Sequence, residues 1–256
     1  MIDAAQRQKI EQALALFAAP GRCAAFALLS APDDVLGVNT RVLTPAASVA
    51  KIAIAMAAAD MISAGALDPT HRIAVRDTAA TRYCSVLKAF DEDATLSLRE
   101  ALRLSLITSD NPLIVKLMQR TPFAAIQNAL KDNGAPDTVI VAGFSEAELG
   151  PANRVNITTA ADCIALLTAL TREPRYDFIR TALENNLRNT RIPRLLPDDA
   201  IIAHKTGSLS GVVNDVGIVN GAHPFAIAFL SDGQSDPWAA EHDIAIAARA
   251  VYEALN

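Results

Sequence analysis

Ser48-Val49-Ala50-Lys51-Ile52-Ala53-Ile54-Ala55-Met56-Ala57-Ala58-Ala59 is apolar at every position except Ser48 and Lys51. The run continues through Asp60 to Ala64 and is closed by Gly65. Its composition and its glycine stop predict a helix over 48–64. A helix apolar all round belongs at the centre of its lobe. Ser48 and Lys51, three residues apart, share one face of it. A serine hydroxyl is a poor nucleophile near neutral pH without an adjacent base. Desolvation depresses the pKa of a lysine amine and lets part of it serve as that base. The first helical turn also offers free backbone N–H groups and a positive dipole end, which suit a developing oxyanion.

Outward from this helix the pattern changes. Towards the N-terminus, residues 3–18 carry Ile10, Leu14 and Phe17 at helical spacing, Cys23 to Ser30 is an apolar run of strand length, and Val35 to Val42 is its hairpin partner beyond Pro32-Asp33. On the C-terminal side, Leu98–Leu106, Pro112–Gln119, Pro122–Asp132 and Thr159–Leu170 read as helices, with a loop over 142–156. Past Pro197 three strands are expected, Ala200–Lys205, Val212–Asn220 and Pro224–Ser231, then a helix from Trp238 to Leu255. Strands at both ends enclose an all-helical middle, so one sheet must be assembled from the two ends of the chain.

The 256 residues are 51 % hydrophobic and 20 % charged, enough for one sizeable core or two lobes sharing a cleft. A net charge of −5 without clustered Lys and Arg argues against nucleic-acid binding. No apolar run reaches the roughly 18 residues of a spanning helix, so no membrane segment is expected. Met1-Ile2-Asp3 does not open a signal peptide, which leaves a cytoplasmic chain or one whose leader has been trimmed; in the latter case the periplasm or secretion is implied. Cys23, Cys84 and Cys163 are too few for a disulfide framework and read as buried free thiols. With no His/Cys cluster and no phosphate-binding glycine loop, neither metal nor cofactor is expected.

Three short strings carry chemistry: Ser48-Val49-Ala50-Lys51, Ser109-Asp110-Asn111 and Lys205-Thr206-Gly207. In a chain of this composition S-x-x-K arises by chance about 0.3 times, whereas S-D-N and K-T-G arise about 0.04 and about 0.02 times. Together, and in this order, they resemble the class A β-lactamases and the related penicillin-binding serine hydrolases. Further matching stretches are Tyr83-Cys84-Ser85-Val86-Leu87, Ile107-Thr108 before Ser109, Ser208 after Gly207, and Asn214-Asp215. The likeness spans essentially the whole chain.

The resemblance implies an α+β fold: a five-stranded antiparallel sheet flanked by N- and C-terminal helices, plus an all-helical domain. Residues 1–45 and 195–256 would form the sheet domain and 46–194 the helical one, with the active site in the cleft between. Ser48 would be the nucleophile, Lys51 its base and Ser109 the proton relay to the leaving nitrogen. Glu146 would activate the deacylating water. Asn111 would hold the substrate amide, the backbone N–H groups of Ser48 and Ser208 would form the oxyanion hole, and Lys205, Thr206 and Ser208 would receive a carboxylate. The implied partner is a small β-lactam or a related amide or ester, acted on by a monomer.

Plainer readings stand beside these. Ser48 also suits a helix N-cap, Ser109-Asp110 a capping turn before Pro112, and Lys205 a solvated strand end. His204 reads as a structural strand residue, and Tyr83 either lines the cleft or packs. The family pattern E-x-E-L-N is met by Glu146-Ala147-Glu148-Leu149-Gly150, with glycine in place of the water-holding asparagine. Phe144 and Asn156 stand where the family has a loop-pinning arginine and aspartate, and the loop is shorter than usual. A peptidase, amidase or esterase that acylates on Ser48 with slow or no β-lactam turnover is therefore the alternative, and a non-hydrolytic β-lactam-binding module a third reading.

Overall fold

The computed structural model describes residues 2–78, 85–145 and 154–256. Helix α1 (Ala4–Leu14) leads into β1 (Arg22–Leu28), β2 (Leu36–Val38) and β3 (Thr44–Pro45). A 3₁₀ turn, Ala47–Ala50, then opens α2 (Lys51–Ser63). There follow β4 (Arg72–Ala74), β5 (Thr95–Ser97), α3 (Leu98–Ile107), α4 (Asn111–Met118), α5 (Phe123–Asp132), β6 (Ile157–Thr158), α6 (Ala160–Arg172) and α7 (Asp177–Glu184). The chain ends with β7 (Ile202–Leu209), β8 (Val212–Val219), β9 (Phe225–Ser231) and α8 (Pro237–Leu255).

The main sheet has five strands in the order β2-β1-β9-β8-β7, with every neighbouring pair antiparallel. It joins the two ends of the chain, as the pattern required: Arg22 pairs with Ser231 and Leu28 with Phe225. Both faces are covered, so the strands alternate in bulk rather than in polarity. Ala24, Phe26, Phe225, Ile227 and Phe229 face α1 and α8, and there Phe17 and Phe229 pack with ring centroids 4.7 Å apart. Ala25, Ala27, Ala203, Ala226 and Ala228 face the helices on the other side, where small side chains on β1 and β9 let α6 approach closely. Every residue of α2 from Lys51 to Ala59 is buried, which is where a helix apolar all round should lie.

Several boundaries move. The N-terminal helix stops at Leu14 and finishes as a 3₁₀ turn over Ala15–Phe17. The hairpin partner shrinks to Leu36–Val38, because Asn39 adopts φ 51° and donates its side-chain amide to the Arg22 carbonyl at 2.9 Å. The strand expected to end at Lys205 runs on to Leu209, since Ser208 and Leu209 still pair with Val213 and Val212 before the turn at Gly211 (φ 72°). Lys205-Thr206-Gly207 therefore lies in mid-strand. The α-helix begins at Lys51 rather than Ser48, leaving Ser48 in the 3₁₀ turn before it. Helix α7 was not expected, although Phe178, Ile179, Ala182 and Leu183 give it an apolar face. No helix among the described residues is long and apolar enough to cross a membrane.

Candidate active site

Between Thr44 and Ala59 every residue is buried except Ser48, which is half-buried. Ala47, just before it, is held at φ 47°, a left-handed conformation costly for alanine. The turn is pinned from two sides. The Ala46 N–H donates to the Asn156 carbonyl at 2.8 Å, and the Asn214 side chain on β8 donates to the Pro45 carbonyl at 2.8 Å. Asn156 is itself fully buried and reaches back to the Val141 and Ala142 N–H groups at 2.9 Å each. Gly207 packs directly on the turn: a Cβ there would lie 2.9 Å from the Ala46 carbonyl oxygen and 3.2 Å from both Ala47 Cβ and Val49 Cγ2. Only glycine lets β7 come so close to Ser48.

Lys51 is fully buried. Its Nζ donates to the Ser109 carbonyl at 2.7 Å and to Asn111 Oδ1 at 2.7 Å, lies 3.3 Å from Ser109 Oγ, and sits 5.0 Å from the centre of the Phe144 ring. None of its hydrogen bonds goes to Ser48, so the shared helix face does not by itself join the pair in this state. Burial, then the positive charge of Lys205 and more weakly that of Arg188, holds the Lys51 pKa well below the ordinary lysine range; Asp110 opposes the shift. Two carbonyl acceptors and one hydroxyl suit a neutral amine, which has two hydrogens to give and one lone pair to receive.

Ser109 sits between α3 and α4 at φ 61°. Lys205, fully buried, donates to Ser109 Oγ at 2.9 Å and to the Thr206 carbonyl at 2.9 Å. Its pKa is pushed down to about 7, mainly by burial and then by Arg188 and Arg191, against the pull of Asp215. The Ser109 hydroxyl thus lies between two amines, both depressed from the usual lysine value. A hydroxyl so placed can accept from one and donate to the other, which is a two-step path for a proton. Asp110 takes the plainer role: it caps α4 by accepting from the Leu113 N–H at 3.1 Å, and its other oxygen accepts from Ser85 Oγ at 2.6 Å and the Val86 N–H at 2.9 Å.

The structure thus brings Lys51, Ser109, Asn111 and Lys205 into one hydrogen-bonded group, with Thr206 in mid-strand beside it and the Ser48 turn packed on Gly207. Ser208 is exposed at the strand end, its Oγ accepting from Arg191 Nη2 at 2.6 Å. Tyr83, Cys84 and Glu146 lie outside the described residues. Cys23 and Cys163 are buried and free. His204 is the strand residue expected, with Nδ1 3.0 Å from Asp215 Oδ1 and Nε2 3.1 Å from Asn189 Oδ1.

Sequence reading missed Arg191. Almost wholly buried, it donates to the Gly207 carbonyl at 3.0 Å, the Asn214 carbonyl at 2.5 Å and Glu241 on α8 at 2.9 Å, besides Ser208. Its partners lie 16 to 50 residues away, so no local motif announces it.

Residues 6–255 match the Beta-lactamase enzyme family. The chain belongs to that family. Among curated relatives it is 26 % identical to the β-lactamase VEB-1 of Pseudomonas aeruginosa over 228 residues, covering 78 % of this chain and 74 % of the relative. It is 25 % identical to the extended-spectrum β-lactamase PER-1 of the same organism, covering 87 % and 79 %. Its fold is that of a β-lactamase from Chitinophaga pinensis (TM-score 0.86, 24 % identity, 98 % and 99 % covered) and of PBP-A (TM-score 0.81, 23 % identity, 100 % and 97 % covered). The protein is a serine β-lactamase-like hydrolase.

Proposed function

We propose that this hydrolase opens the amide of a β-lactam ring through an acyl-enzyme on Ser48. The observation that carries the reading is the Ser109 hydroxyl held between Lys205 at 2.9 Å and Lys51 at 3.3 Å, beside a turn whose only accessible residue is a serine. The substrate would lie in the cleft between the sheet part, 1–45 and 195–256, and the helical part, 46–194. Ser48 Oγ attacks the ring carbonyl while its proton passes to the Lys51 amine. The new oxyanion is met by the N–H groups of Ser48 and Ser208. As the carbon–nitrogen bond breaks, the ring nitrogen takes the Ser109 proton, and Ser109 is refilled from the Lys51 ammonium, so protons balance. Asn111 holds the side-chain amide, and Lys205 with Thr206 and Ser208 receives the carboxylate. Water then attacks the ester as Glu146 takes its proton, and that proton passes to Ser48 Oγ as the bond between the acyl carbon and Ser48 Oγ breaks.

Time-resolved intact-mass spectrometry with benzylpenicillin tests this. An adduct should form on Ser48 and clear, and Ser48→Ala should form none; a wild-type chain that never gains mass would refute the reading. Glycine at position 150, where the family keeps an asparagine, favours a second outcome. An adduct that forms but persists would place the protein with the slow penicillin-binding acylases.

A further inference from the structure

A cavity of about 560 Å³ lies between α6, the C-terminal end of α5 and the β1–β2 turn. Its lining shares no residue with the group around Ser48, Lys51, Ser109 and Lys205, and its volume is that of a small-molecule site. The sequence makes this space by leaving side chains out. Ala161, Ala165 and Ala169, four residues apart on one face of α6, form the floor, and Gly134, opposite Ala165, adds nothing to fill it. Pro32, Val35 and Pro136 supply apolar walls.

The walls are fixed by the protein's own bonds. The Ala161 N–H donates to the Thr40 carbonyl at 2.9 Å, and Arg7 on α1 holds Asp34 in the β1–β2 turn at 3.1 Å. Asn133, past the end of α5, donates to the Ala129 carbonyl at 2.7 Å and the Tyr176 hydroxyl at 3.1 Å. The charges inside are unbalanced. Asp33, Asp132, Asp162 and Glu173 line the cavity against Arg41 and Arg172. Glu173 is taken by Arg175, and Arg41 by Asp137 at 3.2 Å, both partners lying outside the lining. Asp33, Asp132 and Asp162 are left with no ion pair among the described residues, against Arg172 alone. The end of α5 adds the negative end of a helix dipole. Thr168, also in the lining, is 5 % exposed and keeps a buried hydroxyl with no hydrogen-bond partner among the described residues. Such a group calls for a ligand or a water to satisfy it.

We infer that this cavity is a second ligand site, built for a small organic cation: an amine or amidine whose apolar body lies on the alanine floor and whose charge meets Asp33 and Asp132. A neutral molecule of the same shape would leave those carboxylates unpaired, and an anion would be repelled by them. The cleft around Lys51 and Lys205 has the opposite preference, so the two sites sort ligands by charge.

The test titrates benzamidine, and its neutral and anionic counterparts benzamide and benzoate, into the isotope-labelled full chain, followed by amide NMR shifts. Benzamidine should give saturable shifts centred on Gly134, Ala165 and Ala169 and bind at least about threefold tighter than benzamide, with benzoate giving none there. Asp33→Asn combined with Asp132→Asn, both exposed positions, should weaken benzamidine about three- to tenfold and leave benzamide unchanged. Ala165→Phe, which fills the floor, should abolish the binding of both. Shifts confined to the Ser48 cleft, equal affinity for benzamidine and benzamide, or no saturable shift at these positions would each overturn the proposal. No step of this test involves acylation, so a failure of the acyl-transfer reading leaves its outcome untouched.

Discussion

The two faces of the five-stranded sheet are built to opposite ends. Towards α1 and α8 the contacts are large and almost wholly apolar: Phe17 on Phe229, Phe26 against Phe225 at 5.4 Å, and Ile10, Leu14, Ile244 and Val251 around them. Towards α6 and the Ser48 turn the sheet presents alanines, then Lys205 and Asn214. The first face buries hydrocarbon and gains stability. The second buries two lysines, whose desolvation works against stability and is offset only by the hydrogen bonds to Ser109, Asn111 and Thr206. Stability and chemistry are thus divided by the sheet, and substitutions on its two sides should have different signatures.

The largest separation is expected from Lys51→Met. Acylation by benzylpenicillin should slow by about 10³-fold or more, while urea denaturation shifts by only about 1–2 kcal/mol in either direction, because a costly buried amine leaves together with its hydrogen bonds. Phe229→Ala should do the reverse. Its cost of about 3–5 kcal/mol should lower Tm by about 6–20 °C and leave kcat/KM of the folded enzyme at 25 °C unchanged; a folded but inactive variant would show the two faces to be coupled.

Gly207→Ala probes the seam, since its Cβ would meet the Ala46 carbonyl at 2.9 Å. A loss of about 1–3 kcal/mol in stability is expected, accompanied by slower acylation as the Ser48 turn is pushed back. The most gradual signature, smallest when read per pH unit, is a pH dependence. Because the Lys205 pKa is lower folded than unfolded, the unfolded chain binds the extra proton between about pH 7 and the ordinary lysine value near 10.5. Stability from this group therefore rises with pH across that window, by at most about 1.4 kcal/mol per pH unit, and is flat below it. Denaturation curves at pH 7, 8 and 9 should show this slope reduced in Lys205→Met.

Local features were legible in the sequence. The buried helix, the three motif strings, the closing strands and the C-terminal helix each follow from residues within one turn or one strand of each other, where spacing and apolar content are enough. What spacing could not give is partner choice. Lys51 and Ser48 share a face by sequence, yet the Lys51 amine is drawn to Ser109 and Asn111, some 60 residues on. Ser109-Asp110 supported both a capping and a chemical reading, and the structure divides them, Asp110 capping α4 while Ser109 meets the lysines. Arg191 lies in a stretch without periodicity and is defined by distant carbonyls. Ribbons as short as β3 with β6, two residues each, carry no readable alternation but hold Ala46 and Asn156 together.

The pairing of β1 with β9 also bears on how the protein is made. Arg22 leaves the ribosome some 200 residues before Ser231, its partner, is synthesised. At about 5–20 residues per second the first strand waits about 10–40 s with its hydrogen-bonding edge unsatisfied. The helical middle is complete during that interval, whereas the sheet closes last, through contacts of very high sequence separation. Synthesis of β9, rather than of β1, is therefore the step that lets this sheet close.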